Sequence, residues 1–151
     1  MVIKRVYIEQ FGKITKKEFF FDSGINIIYG KNESGKTTLE QFLLTMFYGG
    51  RTSKKFGIDA REKYIPFGQD FAFGQMVIEI DGKTFLFERK LGQKKKDDVF
   101  RNFDEKTFDQ ASFDEHLGKH LFDLDLEPFL KTLFVSQSAL RFPGEKDESL
   151  N

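Results

Sequence analysis

The chemistry in this chain is concentrated in one stretch, Gly30-Lys31-Asn32-Glu33-Ser34-Gly35-Lys36-Thr37. It matches G-x-x-x-x-G-K-[ST] at every fixed position. A nucleoside triphosphate tail packs several negative charges into a small volume. A loop without bulky Cβ atoms at its two glycines can wrap that tail and aim successive backbone N–H groups at its oxygens. A helix starting at the end of the loop adds its positive dipole end and its unpaired N–H donors. In this reading Lys36 reaches the β- and γ-phosphates, and the Thr37 hydroxyl ligates Mg²⁺. The nucleotide-contacting set is then Gly30, Asn32, Glu33, Ser34, Gly35, Lys36, Thr37 and Thr38. A plain glycine-rich turn with a solvated lysine is the competing reading of the same residues.

Such a loop works only when flanking elements hold it. Before it runs Ile25-Asn26-Ile27-Ile28-Tyr29, a short apolar stretch of the kind that suits a strand buried on both faces. After it, Leu39, Phe42, Leu43, Met46 and Phe47 recur at helical spacing until Gly49-Gly50. The expected order is strand, loop, helix. Upstream, residues 2–9 and 17–21 read as strands. Downstream, residues 73–80 and 84–89 flank Asp81-Gly82, a two-residue hairpin signal because both turn positions need positive φ. Residues 99–103 suggest a further strand. Ser112 to Glu115 fits a capping box that opens a helix ending near Leu121, and Asp125 can cap another with Pro128 in its first turn. Residues 133–136 return to strand character. Residues 51–69 show no clean period and read as a long, mobile loop.

The chain has 151 residues, with 24 Lys+Arg against 24 Asp+Glu and no formal net charge. That length fits one domain. The apolar share, including 20 Phe, is enough for a packed core. The absence of cysteine excludes disulfides, a thiol nucleophile and thiolate metal sites. No apolar run approaches the ~18 residues of a membrane span, and the first residues lack the apolar core of a signal peptide. The expectation is a cytoplasmic protein with no membrane partner. Charge neutrality gives no global basic footprint for nucleic acid.

Several segments together resemble a family. Ile8-Glu9-Gln10-Phe11-Gly12-Lys13, the run from Gly24 through the phosphate loop to Leu39, and Tyr64-Ile65-Pro66-Phe67-Gly68 are similar to SMC-like ATPases, especially bacterial SbcC-like and YhaN-like proteins. So are the hairpin with Glu88-Arg89 and Phe129-Leu130-Lys131-Thr132-Leu133-Phe134-Val135-Ser136-Gln137. The resemblance implies an α/β P-loop NTPase fold: the N-terminal lobe of an ABC-type head, with a mixed sheet and an antiparallel β layer. It makes residues 1–151 one lobe of a split head. The coiled coil and the C-terminal lobe, with its signature motif and Walker B carboxylates, are not found in this sequence. The chain is therefore expected to be an isolated N-terminal lobe or a truncated gene product.

The resemblance further implies ATP with Mg²⁺, and two heads that sandwich two ATP molecules in a head-to-head homodimer. DNA is the associated substrate, and a nuclease is a further partner type for the complete protein. It places Gln137 at Mg²⁺ and the attacking water, so Lys36 and Gln137 form the catalytic pair, and Thr37 and Gln137 the metal ligands. Lys13 lies in the loop that in the family runs beside the nucleotide. The rival readings are a small P-loop kinase and a non-catalytic ATP-gated binding module.

Other groups carry weaker signals. His116 and His120 stand at i and i+4 beside Glu115, without the H-E-x-x-H order or a third ligand, and read as solvated or capping residues. Lys94-Lys95-Lys96 adjoins Asp97-Asp98 and reads as an exposed hairpin end rather than a DNA contact. Phe19-Phe20-Phe21 and the phenylalanines near residue 72 read as core or lobe interface.

Overall fold

A computed structural model describes residues 1–31, 35–50, 52–53 and 58–133. Its frame is a five-stranded antiparallel sheet built from β1 (Val2–Phe11), β2 (Ile14–Phe20), β5 (Phe71–Ile80), β6 (Lys83–Gly92) and β7 (Val99–Asp104). Their spatial order is β2-β1-β5-β6-β7. Two-residue strands β3 (Thr52–Ser53) and β4 (Ile58–Asp59) pair separately. The helices are α1 (Lys36–Tyr48), α2 (Ala60–Tyr64), α3 (Leu117–Phe122) and α4 (Leu126–Thr132).

Strand alternation explains which sheet face is buried. Val6 and Ile8 on β1, Met76 and Ile78 on β5, and Phe87 and Leu91 on β6 are at most 2% exposed. All belong to one core with Leu39, Phe42, Met46 and Phe47 of α1 and Leu117 of α3. Their neighbours in sequence carry the polar pairs of the other face, such as Arg5 with Glu18 and Gln75 with Glu88. Fully burying a residue of this kind contributes about 1.5–3 kcal/mol, so this one interface holds the sheet and the helices together.

The Asp81-Gly82 hairpin forms as expected, with φ of 50° and 77° at its two turn residues. On the inner face of β6 lies Arg89, which the sequence pattern does not single out as buried. Its Nη2 donates to the Met46 carbonyl at 3.1 Å and to the Glu115 carbonyl at 2.7 Å, and its guanidinium lies 4.4 Å from the Phe100 ring centre. Nε is buried without a hydrogen-bond partner. Burial pushes the guanidinium down to about 10, partly offset by the nearby charges of Glu115 and Asp98. It therefore stays cationic at neutral pH, at the negative end of the α1 dipole.

Several expectations change. Residues 25–29 form no strand pairing; Ile25 and Ile27 are 94% and 82% exposed, and Tyr29 is 90% exposed. Each inner strand of the described sheet already has two neighbours, and residues 25–29 pair with neither edge strand, β2 or β7. The stretch read as a loop from residue 51 contains α2, whose Arg61 and Tyr64 are buried. Asp98, read as part of an exposed hairpin end, pairs with Arg61. The helix expected from the capping box starts later, at Leu117, with Asp114 Oδ1 accepting the His116 N–H at 2.8 Å. Of the strand expected at residues 133–136, Leu133 lies in a turn and the rest falls outside the described residues. No helix among the described residues is long and apolar enough to cross a membrane.

Candidate functional site

The phosphate-loop helix is the best-anchored helix in the chain. Over its 13 residues, Thr38, Leu39, Phe42, Leu44, Thr45, Met46 and Phe47 are buried. Phe42 meets the Phe11 ring edge-on at 5.3 Å. Its C-terminal end is fixed by the Gly49 N–H on the Thr45 carbonyl at 2.7 Å, and by Arg89 on Met46. The opposite end carries the Gly35-Lys36-Thr37 end of the motif.

Gly35 stands at the N-cap with φ of 90°, a left-handed conformation that glycine adopts without steric cost. Its carbonyl accepts the first helical bond, from the Leu39 N–H at 2.9 Å. No side chain caps this end and no acidic residue stands in the first turn. The first N–H groups of α1 therefore have no partner within the helix, and no neighbouring carboxylate in that turn offsets the positive dipole end.

Lys36 Nζ donates to the Gly30 carbonyl at 2.6 Å. The bond joins the last glycine-lysine step to the first glycine of the motif. It brings the first and the last glycine-lysine ends of the motif together. Thr37 is exposed beside it, whereas Thr38 is 7% exposed and turned inward. Thr38 thus supports the loop through packing.

The turn between β1 and β2 forms the wall of this site. A Cβ at Gly35 would stand 3.2 Å from Ile14, and a Cβ at Gly12 would stand 3.0 Å from Thr38. Lys13 is exposed between these two contact residues. The position of Lys13 on the sequence is what the family resemblance flagged; the packing of Gly12 and Ile14 on the loop had no signal of its own. Deeper in, Glu40 follows Lys36 by one turn. Burial pushes its carboxyl above the usual range. Burial also raises the Tyr64 phenol, with a further rise from the Glu40 charge.

Gly30, Gly35, Lys36, Thr37 and Thr38 are thus brought together at one helix end. Asn32, Glu33, Ser34 and Gln137 lie outside the described residues. His116 and His120 do not converge on a metal: among the described residues no group of three or more His, Asp or Glu side chains is placed to hold one. Among the described residues the donor available to a cation here is the Thr37 hydroxyl, which with phosphate oxygens and water suits Mg²⁺; Gln137, the other expected ligand, lies outside them.

Comparison with known proteins agrees with this geometry. A family described as AAA domain matches residues 5–142. The DNA double-strand break repair Rad50 ATPase of Nanoarchaeum equitans is 33% identical over 90 residues, covering 60% of this chain. The chain spans 11% of that relative's length. Among solved structures, the recombination mediator protein RecF-ATPrS aligns with a TM-score of 0.56 at 17% identity, over 74% of this chain and 28% of that one. A structure concerned with ATP-driven dimerization and DNA-stimulated activation of SMC ATPases aligns with a TM-score of 0.53 at 16% identity, over 94% and 85%. These likenesses identify the α/β fold as that of a P-loop NTPase.

Proposed function

This chain belongs to the AAA domain family, as an SMC-like, ABC-type ATPase N-terminal lobe, and we propose that it binds ATP with Mg²⁺. The observation that carries the reading is the bond from Lys36 to the Gly30 carbonyl at the N-terminal end of α1, with no acidic residue in the first turn. Loop N–H groups and Lys36 hold the phosphates, Thr37 holds the metal, and Lys13 adds a second positive charge. Bound Mg²⁺ would supply charge neutralisation between the β- and γ-phosphates. In the complete protein Gln137 orients the attacking water.

Hydrolysis belongs to the assembled head. A C-terminal lobe supplies the carboxylates and lies along residues 25–29, whose apolar side chains have no cover here. Head-to-head dimerisation then brings the signature loop onto the γ-phosphate, and the work of the complete ATPase is in DNA repair or chromosome maintenance.

Calorimetry of Mg-ATP binding with the chain and its Lys36→Ala variant tests the reading. Lys36 is the first residue of α1 and lies outside the core, so the variant should fold and lose at least about tenfold in affinity, through lost charge-assisted bonds. Equal affinity in a folded variant would refute the assignment. Turnover by the chain alone should be negligible; robust hydrolysis abolished by Lys36→Ala would show that the second lobe is unnecessary.

A further inference from the structure

A five-residue helix links two distant turns of the sheet, and one of its attachments bears on the phosphate loop. Arg61 of α2 is 9% exposed. Its Nη1 donates to the Gly92 carbonyl at 2.9 Å and to Asp98 Oδ1 at 2.6 Å, while Nη2 donates to the second Asp98 oxygen. Asp98 Oδ1 also accepts the Gly92 N–H at 3.0 Å. This bidentate pair fastens the start of α2 to the turn between β6 and β7.

Tyr64 fastens the other end. Its ring stacks on Phe11 at 4.7 Å and 7°, and its carbonyl accepts the Gly12 N–H at 2.7 Å. Gly12 has φ of 55° and touches both Thr38 and Tyr64 closely; a Cβ there would stand 3.0 Å and 3.1 Å from them. Contacts therefore run without a gap from Asp98 through Arg61, α2, Tyr64 and Gly12 to Thr38 in the first turn of the phosphate-loop helix.

We infer that the Arg61–Asp98 ion pair positions the nucleotide site: it seats α2, and α2 presses the Gly12-Lys13 turn onto the start of α1. Neither charged residue reaches the loop itself, so both are positioning residues. A bidentate guanidinium–carboxylate pair suits this role because it fixes orientation as well as distance. The inference rests on the nucleotide-binding reading above.

Asp98→Asn keeps the side-chain shape and an oxygen for Gly92 while removing the charge. Arg61→Lys keeps the charge and removes the fork. Three quantities are measured on the full chain: circular dichroism, amide hydrogen exchange by NMR, and Mg-ATP affinity by calorimetry. Asp98→Asn should stay folded, lose protection selectively at the Gly12 amide, and bind Mg-ATP about five- to tenfold more weakly. Arg61→Lys should fall between it and the parent. Unchanged Gly12 protection and affinity in folded Asp98→Asn would overturn the inference. So would a uniform loss of protection across the sheet, which marks a general stabilising role. If Asp98→Asn does not fold, Tyr64→Leu leaves the ion pair in place and removes the stack. It should loosen Gly12 and weaken binding equally, and no change would overturn the inference. If the parent chain fails to bind Mg-ATP, the nucleotide reading fails, and selective loss of Gly12 protection still decides whether the ion pair positions the turn.

Discussion

Two apolar stretches of similar composition meet opposite fates in this molecule. Met76, Val77 and Ile78 in β5 are at most 4% exposed, while Ile25 and Ile27, ahead of the phosphate loop, are above 80%. The β5 residues have β1 on one side and β6 on the other, and Met76 and Ile78 have α1 across their face. Residues 25–29 have no described strand beside them. Apolar character is thus a request for a partner, and burial records whether the chain itself supplies one.

The sharpest way to break this comparison is to cut into each region. Phe87 is fully buried against Phe100 and Phe113. Phe87→Ala should destabilise the chain by about 3–5 kcal/mol in a urea titration. Ile27→Ser should change stability by less than about 0.5 kcal/mol, as expected of an exposed site. If Ile27→Ser costs as much as a core truncation, the exposed segment is packed in solution and the contrast fails.

A second effect, smaller in free energy, reads the exposed segment directly. Uncovered apolar surface on a chain with no formal net charge gives copies little reason to stay apart. The parent should self-associate in sedimentation equilibrium, and Ile25→Ser with Ile27→Ser should reduce this. A strict monomer over a broad concentration range would show that the segment is not available.

The smallest effect concerns Glu40, on the border between the packed helix and the open site. Its raised pKa comes from burial, so folding favours the protonated form. That contribution is complete below the ordinary carboxylate range and is lost as pH rises through the raised folded value. Glu40→Gln should therefore gain slightly over the parent at neutral pH and lose the advantage in acid. A gain that does not vary with pH would point to packing instead of charge.

Local signals were the legible ones. The apolar spacing of α1 and the Asp81-Gly82 turn depend on residues close in sequence, and both are found where expected. The antiparallel layer was what the family resemblance implied. What the sequence did not show depends on partners far away along the chain. Arg61 and Asp98 are 37 positions apart, and neither residue type announces a buried pair. Arg89 carries no burial signal in the sequence, and carbonyls from α1 and from the segment ahead of α3 meet its guanidinium. Residues 25–29 misled in the other direction, since a run suited to a buried strand says nothing about whether its neighbours are in the same chain. The candidate site divides the same way: Lys36 and Thr37 were named by the motif, whereas the support from Gly12, Ile14 and Tyr64 is tertiary.

The strand order also sets a sequence of events in folding. β5, β6 and β7 follow one another with short connections, so they can form as a local meander. β1 must reach back to β5 across the whole phosphate-loop segment; Gln10, for instance, bonds to the Phe71 carbonyl 61 residues away. Closing so long a loop carries an entropic cost that local hairpins avoid. The meander should therefore gain amide protection first in pulse-labelled refolding, with β1 and α1 later. The phosphate loop lies inside the last loop to close, so the nucleotide site is assembled only when the chain has essentially finished folding.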